Sequence, residues 1–170
     1  TAAPGGATCT TEPGVTPDPW TCTVIGLTNG QSYTFTVTAR NDAGDGAAST
    51  ASGPVTPQGV PDPPTSVSAT AASTDSASVA WQAPGDDGGQ PITSYRATAN
   101  PGGATCSSAT TSCSVTGLTP GGTYTFTVVA SNVLGDSAAS AASPAISLAK
   151  QTQSATVKTA KKIKAKGKTV

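Results

Sequence analysis

Few residues in this chain could do chemistry. Its 170 residues include no His and no Met, four Cys, nine acids and nine bases. Without imidazole, Ser-His-Asp and Cys-His relays cannot be built, nor can an HExxH metal site. A retaining or inverting glycosidase instead needs two facing carboxylates in a cleft. The close acidic pairs are Asp86–Asp87 and Asp42–Asp45, both in Gly-rich segments where Asp commonly bonds turn amides. Asp86 and Asp87 could also offer oxygens to calcium, which takes about 6–8 of them. "GDDGG" lacks the Gly-Lys-Ser/Thr ending of a phosphate loop, and no Arg-Gly-Asp occurs. No catalytic residue, metal site or cofactor site emerges.

The cysteines carry more information. Cys9 and Cys22 flank one segment, and Cys106 and Cys113 flank its twin. Pairs at matching places of a repeat predict two disulfides, each within its own unit. The close-set pairs that zinc favours, such as C-x-x-C, are absent. Closing loops of this length stabilises by roughly 2.5 to 3 kcal/mol in the chain-entropy model. Lasting disulfides imply an oxidising compartment and so predict export.

The elements that hold these residues come in two copies. "TAAPGGATC" at 1–9 matches "TANPGGATC" at 98–106, and "GLTNGQSYTFTVTARN" at 26–41 matches "GLTPGGTYTFTVVASN" at 117–132. A repeat of more than ninety residues is a whole domain. Tyr124, Phe126, Val128 and Ala130 recur every second residue, and so do Tyr33, Phe35, Val37 and Ala39. Each set therefore shares one face of a half-buried strand, with Thr on the other face.

The remaining composition agrees with short strands and tight turns. The chain is 4% aromatic and 11% charged, with 19 Gly and 14 Pro. No apolar run approaches the roughly 18 residues of a membrane helix. Nine acids against Arg40 and Arg96 leave residues 1–149 at −7, while seven lysines put +7 on residues 150–170.

Residues 58–149 read as a complete unit. A Pro-rich linker, "GVPDPPTSV", leads into a strand with Val67, Ala69 and Ala71 on one face. Strands follow at 77–83, with Val79 and Trp81 inward, and at 92–100, anchored by Tyr95. Others lie at 104–107, 112–116, along the Tyr124 strand, and at 141–148. "PGDDGGQP" is a loop, and "NVLGDSAAS" reads as a long hairpin loop. Seven short strands with turns every 8–12 residues or so describe a β-sandwich.

Three linked motifs then stand out: the Pro-Pro entry, the Trp81 strand followed by "APGDDGGQPITSYRA", and "GLTPGGTYTFTVVASNVLGDS". Through them the chain resembles the fibronectin type III family, an immunoglobulin-like all-β sandwich. The likeness is full over about 60–149 and partial over 1–57. It implies that Trp81, Tyr95, Leu118 and Tyr124 are core or corner residues; Phe126, and Leu27, Tyr33 and Phe35 of the first copy, are expected in the structural core with them. Tyr124 would be the corner tyrosine, its hydroxyl bonded to nearby backbone. The disulfides depart from animal members and look like modules of secreted bacterial proteins. Cys113 shares a strand face with Val115, so its bond is expected to staple inward near a sheet edge.

Residues 1–57 begin at the end of what would be the third strand, so the Trp-bearing strand has no counterpart. They are expected to be the last strands of a truncated unit, its inward face bare, in a longer chain or one completed by a neighbour. Trp20 beside Cys22 either packs on the disulfide or touches a ligand. The 150–170 stretch is a linker, a polyanion-binding tail or the start of a further module. It lacks aromatic stacking groups, which disfavours nucleic acid. The expected function is a non-catalytic structural spacer of a secreted or cell-surface multidomain protein, with neighbouring domains as partners. The alternatives are a module binding extracellular protein or polysaccharide, with Val133 and Leu134 as the apolar loop pair, or an accessory domain of a polysaccharide-degrading enzyme. Otherwise Val133 and Leu134 are expected to cover the end of the core.

Overall fold

A computed structural model describes residues 1–11 and 21–152. Every regular element in them is a strand: β1 (Ala2–Ala3), β2 (Thr34–Phe35), β3 (Arg40–Asn41), β4 (Gly44–Asp45), β5 (Thr65–Ala71), β6 (Ser76–Gln82), β7 (Ser94–Asn100), β8 (Thr105–Ser108), β9 (Ser112–Thr116), β10 (Thr123–Asn132), β11 (Gly135–Asp136) and β12 (Ile146–Ser147). Trp20 and residues 153–170 of the tail lie outside the described residues.

From residue 62 onward two antiparallel sheets face each other. One has the order β5-β6-β9 and the other β11-β10-β7-β8, with β12 on β10. The alternation in β6, β7 and β10 decides which side chains go inside, because successive residues of a strand point to opposite faces. Ala77, Val79 and Trp81 leave one sheet; Tyr95, Ala97 and Ala99 with Tyr124, Phe126, Val128 and Ala130 leave the other. Phe126, Val79, Val115 and Val128 are fully buried. Each such burial is worth about 1.5–3 kcal/mol. Trp81 and Tyr95 meet with ring centroids 5.5 Å apart, within the aromatic pairing range. This is an all-β, immunoglobulin-like sandwich.

The last edge of the sandwich differs from the expected strand over 141–148. Only Ile146–Ser147 pairs as a strand, and β11 is two residues long. Between them three serines run along β10. The backbone N–H groups of Ser137, Ser140 and Ser143 donate to the carbonyls of Ala130, Val128 and Phe126 at 2.8–2.9 Å. Their hydroxyls accept the N–H groups of the same three residues at 2.9–3.1 Å. Three residues on this edge thus span two on β10, so the edge cannot register as a strand, yet β10 keeps its partners. The expected long hairpin loop is likewise a tight turn: Asn132 pairs with Gly135 and leaves only Val133 and Leu134 between.

Residues 1–57 carry shorter strands than the Tyr33–Ala39 alternation suggests. Between Tyr33 and Ala39 only Thr34–Phe35 is regular, beside an isolated bridge from Tyr33 to Val55. Tyr33 and Ala2 are buried, Leu27 and Phe35 are half-buried, and Val37 is 72% exposed. Strand β2 has β1 on one flank, and on the other the carbonyls of Phe35 and Val37 accept from Ser52 and Ser49. A ribbon with one open face gains little from continuing.

Candidate functional site

Three places gather the residues singled out from the sequence: the Gly-rich loop 84–91, the turn at 132–135, and the disulfides. In the loop, Asp86 Oδ1 accepts the Gly88 N–H at 2.8 Å and Asp87 Oδ1 accepts the Gly89 N–H at 2.9 Å. Both carboxylates thus close turns, as Asp does in such loops. Asp45 pairs with Arg40 at 3.5 Å, both exposed, which leaves Asp42–Asp45 an ordinary surface pair. Among the described residues no group of three or more His, Cys, Asp and Glu could hold a metal.

The loop 84–91 does not project freely. Gly59 N–H donates to the Gly88 carbonyl and Asp62 N–H to the Asp86 carbonyl, both at 2.9 Å. A shallow cleft of about 370 Å³ remains beside it, lined by Thr28, Asn29, Pro84, Gly85, Asp86 and Asp87. A larger groove of about 500 Å³ follows Pro63–Val67 and opens toward Ala139 and Ala141. Neither contains an aromatic side chain or two free facing acids.

At the other end of β10, Asn132 is buried and its Oδ1 accepts the N–H groups of Leu134 and Gly135 at 2.8 and 3.2 Å. The turn lifts Val133 and Leu134 into solvent, 71% and 50% exposed. They do not cover the end of the core. Sequence reasoning passed over Asn132, whose repetition at Asn41 was the available signal. Asn41 Oδ1 accepts the Ala43 N–H at 2.9 Å in the same way.

Cys106 in β8 and Cys113 in β9 are bonded, with Cα atoms 6.1 Å apart. They join edge strands of opposite sheets and pack against the core. Cys9 and Cys22 are bonded as well, at 5.9 Å. No described cysteine is a free thiol. Trp81, Tyr95, Leu118, Tyr124 and Phe126 are all buried. Burial pushes the Tyr95 phenol above its usual range. Tyr124 Oη accepts the Thr119 N–H at 2.8 Å, and Tyr33 Oη accepts that of Thr28 at 3.0 Å. These residues hold the scaffold.

The family model for the fibronectin type III domain matches residues 62–146, half of the chain. Chitinase A1 from Niallia circulans is 38% identical over 135 residues, covering 75% of this chain and 19% of that protein. The chain thus spans about a fifth of that relative's length. A crystal structure of domains from titin superposes with a TM-score of 0.51 at 28% identity, over 70% of this chain and 41% of that one. The FN5 domain of Drosophila Lar is 28% identical with a TM-score of 0.42, over 54% of this chain and all of the other. The chain belongs to the fibronectin type III family.

Proposed function

We propose that this chain is a non-catalytic spacer: a complete sandwich over 58–149 preceded by the last strands of a second one over 1–57, part of a secreted or cell-surface multidomain protein. The observation that carries the reading is repetition of contacts, residue by residue. Ala2 pairs with Phe35 and Ala99 with Phe126; Ala3 pairs with Thr34 and Asn100 with Thr125. The tyrosine corners and the serine rungs repeat as well, Ser49 and Ser52 standing where Ser140 and Ser143 stand. Architecture is duplicated, and no set of reactive side chains is duplicated with it. Two disulfides favour an oxidising compartment outside the cytoplasm. In this reading the exposed face of Val37 is covered by strands equivalent to β5 and β6, supplied by neighbouring chain.

A second reading has its own support. The relative is named a chitinase, and Val133 and Leu134 are exposed together on a rigid turn. The chain would then be an accessory or binding module for polysaccharide or extracellular protein. Incubating the intact chain with insoluble chitin separates the two. The spacer reading expects no released sugar and no depletion from the supernatant beyond that of an unrelated sandwich. Saturable depletion would overturn it.

A further inference from the structure

Building on the tandem reading, we infer that the two units are joined rigidly, through a glycine-keyed seam clamped by Asn132. The connecting segment is bonded on both sides. Gly30 N–H donates to the Pro57 carbonyl at 2.9 Å, which ties the segment to the first unit's turn. Two residues on, Gly59 N–H donates to the Gly88 carbonyl, and Asp62 N–H donates to that of Asp86. Asn132 adds a clamp from the far strand, its Nδ2 donating to the Gly59 carbonyl at 2.8 Å and to the Asp87 carbonyl at 2.9 Å.

The seam is closed by backbone against backbone. A Cβ on residue 89 would lie 2.6 Å from the Gly30 nitrogen and 2.9 Å from its Cα. A Cβ on residue 88 would overlap the Gly59 carbonyl oxygen. Gly88 is buried, and Pro61 just beyond Val60 is buried too. A linker free to swing would need its polar backbone solvated along its length. This one has partners at Pro57, Gly59 and Asp62, and its two prolines, Pro57 and Pro61, remove φ freedom. The spacing between units is thereby fixed in angle as well as in length.

Residual dipolar couplings of the intact, disulfide-bonded chain test this. A rigid seam gives one alignment tensor that fits amides of both units, and two different tensors in the wild type would overturn the inference. Asn132→Asp keeps the turn-closing oxygen and removes the clamping amide, so it should separate the tensors. Inserting two glycines between Pro57 and Gln58 alters no residue of either unit and should separate the tensors fully. If a single tensor survives the insertion, the seam is not what orients the units and the inference fails. Should Asn132→Asp instead unfold the second unit, the insertion alone decides. A flexible seam in a chain that binds nothing would leave the spacer reading standing. A rigid seam in a chain that binds chitin would remove only that reading.

Discussion

Ser140 and Val128 bind each other twice: the serine N–H donates to the valine carbonyl, and the serine hydroxyl accepts the valine N–H, both at 2.9 Å. The hydroxyl then donates onward to the Ala141 carbonyl at 2.8 Å. One small side chain so satisfies a buried strand that has no full partner strand there. Ser140→Ala should leave the Val128 N–H buried and unpaired, at a cost of about 1–3 kcal/mol. Denaturant unfolding of the disulfide-intact chain reads this directly. An unchanged midpoint would mean the rung is not holding the edge.

Trp81 should behave as a packing residue. Its indole Nε1 is buried with no hydrogen-bond partner, while its ring packs on Tyr95. Trp81→Ala should cost about 3–5 kcal/mol through lost contacts and the cavity left behind. Trp81→Phe should cost clearly less, because it removes an unpaired polar group along with some volume. Equal losses in the two variants, measured by thermal unfolding, would show that the N–H does have a partner.

The bond between Cys106 and Cys113 joins the free edges of the two sheets. Replacing both by Ser should lower stability by about 2.5 kcal/mol through the freed unfolded chain. The loss should appear in the second unit's unfolding transition and leave its native amide spectrum in place. A collapse of that spectrum would show that the bond is needed for the fold itself.

Matching residues of the two copies should differ in protection. Val128 is fully buried, whereas Val37, at the same place of the repeat, is 72% exposed; Ile25 is 78% exposed as well. Amide exchange at Phe35 and Val37 should be far faster than at Phe126 and Val128, since local opening there disrupts few buried contacts. Equal protection would mean that the first copy's face is already covered.

Much of this fold was legible in the sequence because its central strands follow one rule. Trp81, Tyr95 and Tyr124 each sit in a run of period two, and burial follows that period. The serine edge was missed because Ser137, Ser140 and Ser143 recur every third residue, outside the period of two that marks a strand. The seam was missed for a different reason. Its bonds join Gly59 to Gly88 and Asn132 to Gly59, far apart in sequence, and a Gly-rich loop looks the same whether it projects or packs. The exposure of Val133 and Leu134 follows from Asn132 closing a two-residue turn, which makes apolar character alone a poor guide to burial.

The central claim, that this architecture positions other domains and recognises nothing itself, is tested most directly by binding isotherms of the intact oxidised chain. They would be measured on arrays of glycans and extracellular proteins, with Val133→Ser/Leu134→Ser alongside. The account predicts no saturable isotherm on any surface and no difference between the two chains. A saturable isotherm that the double substitution abolishes would contradict it.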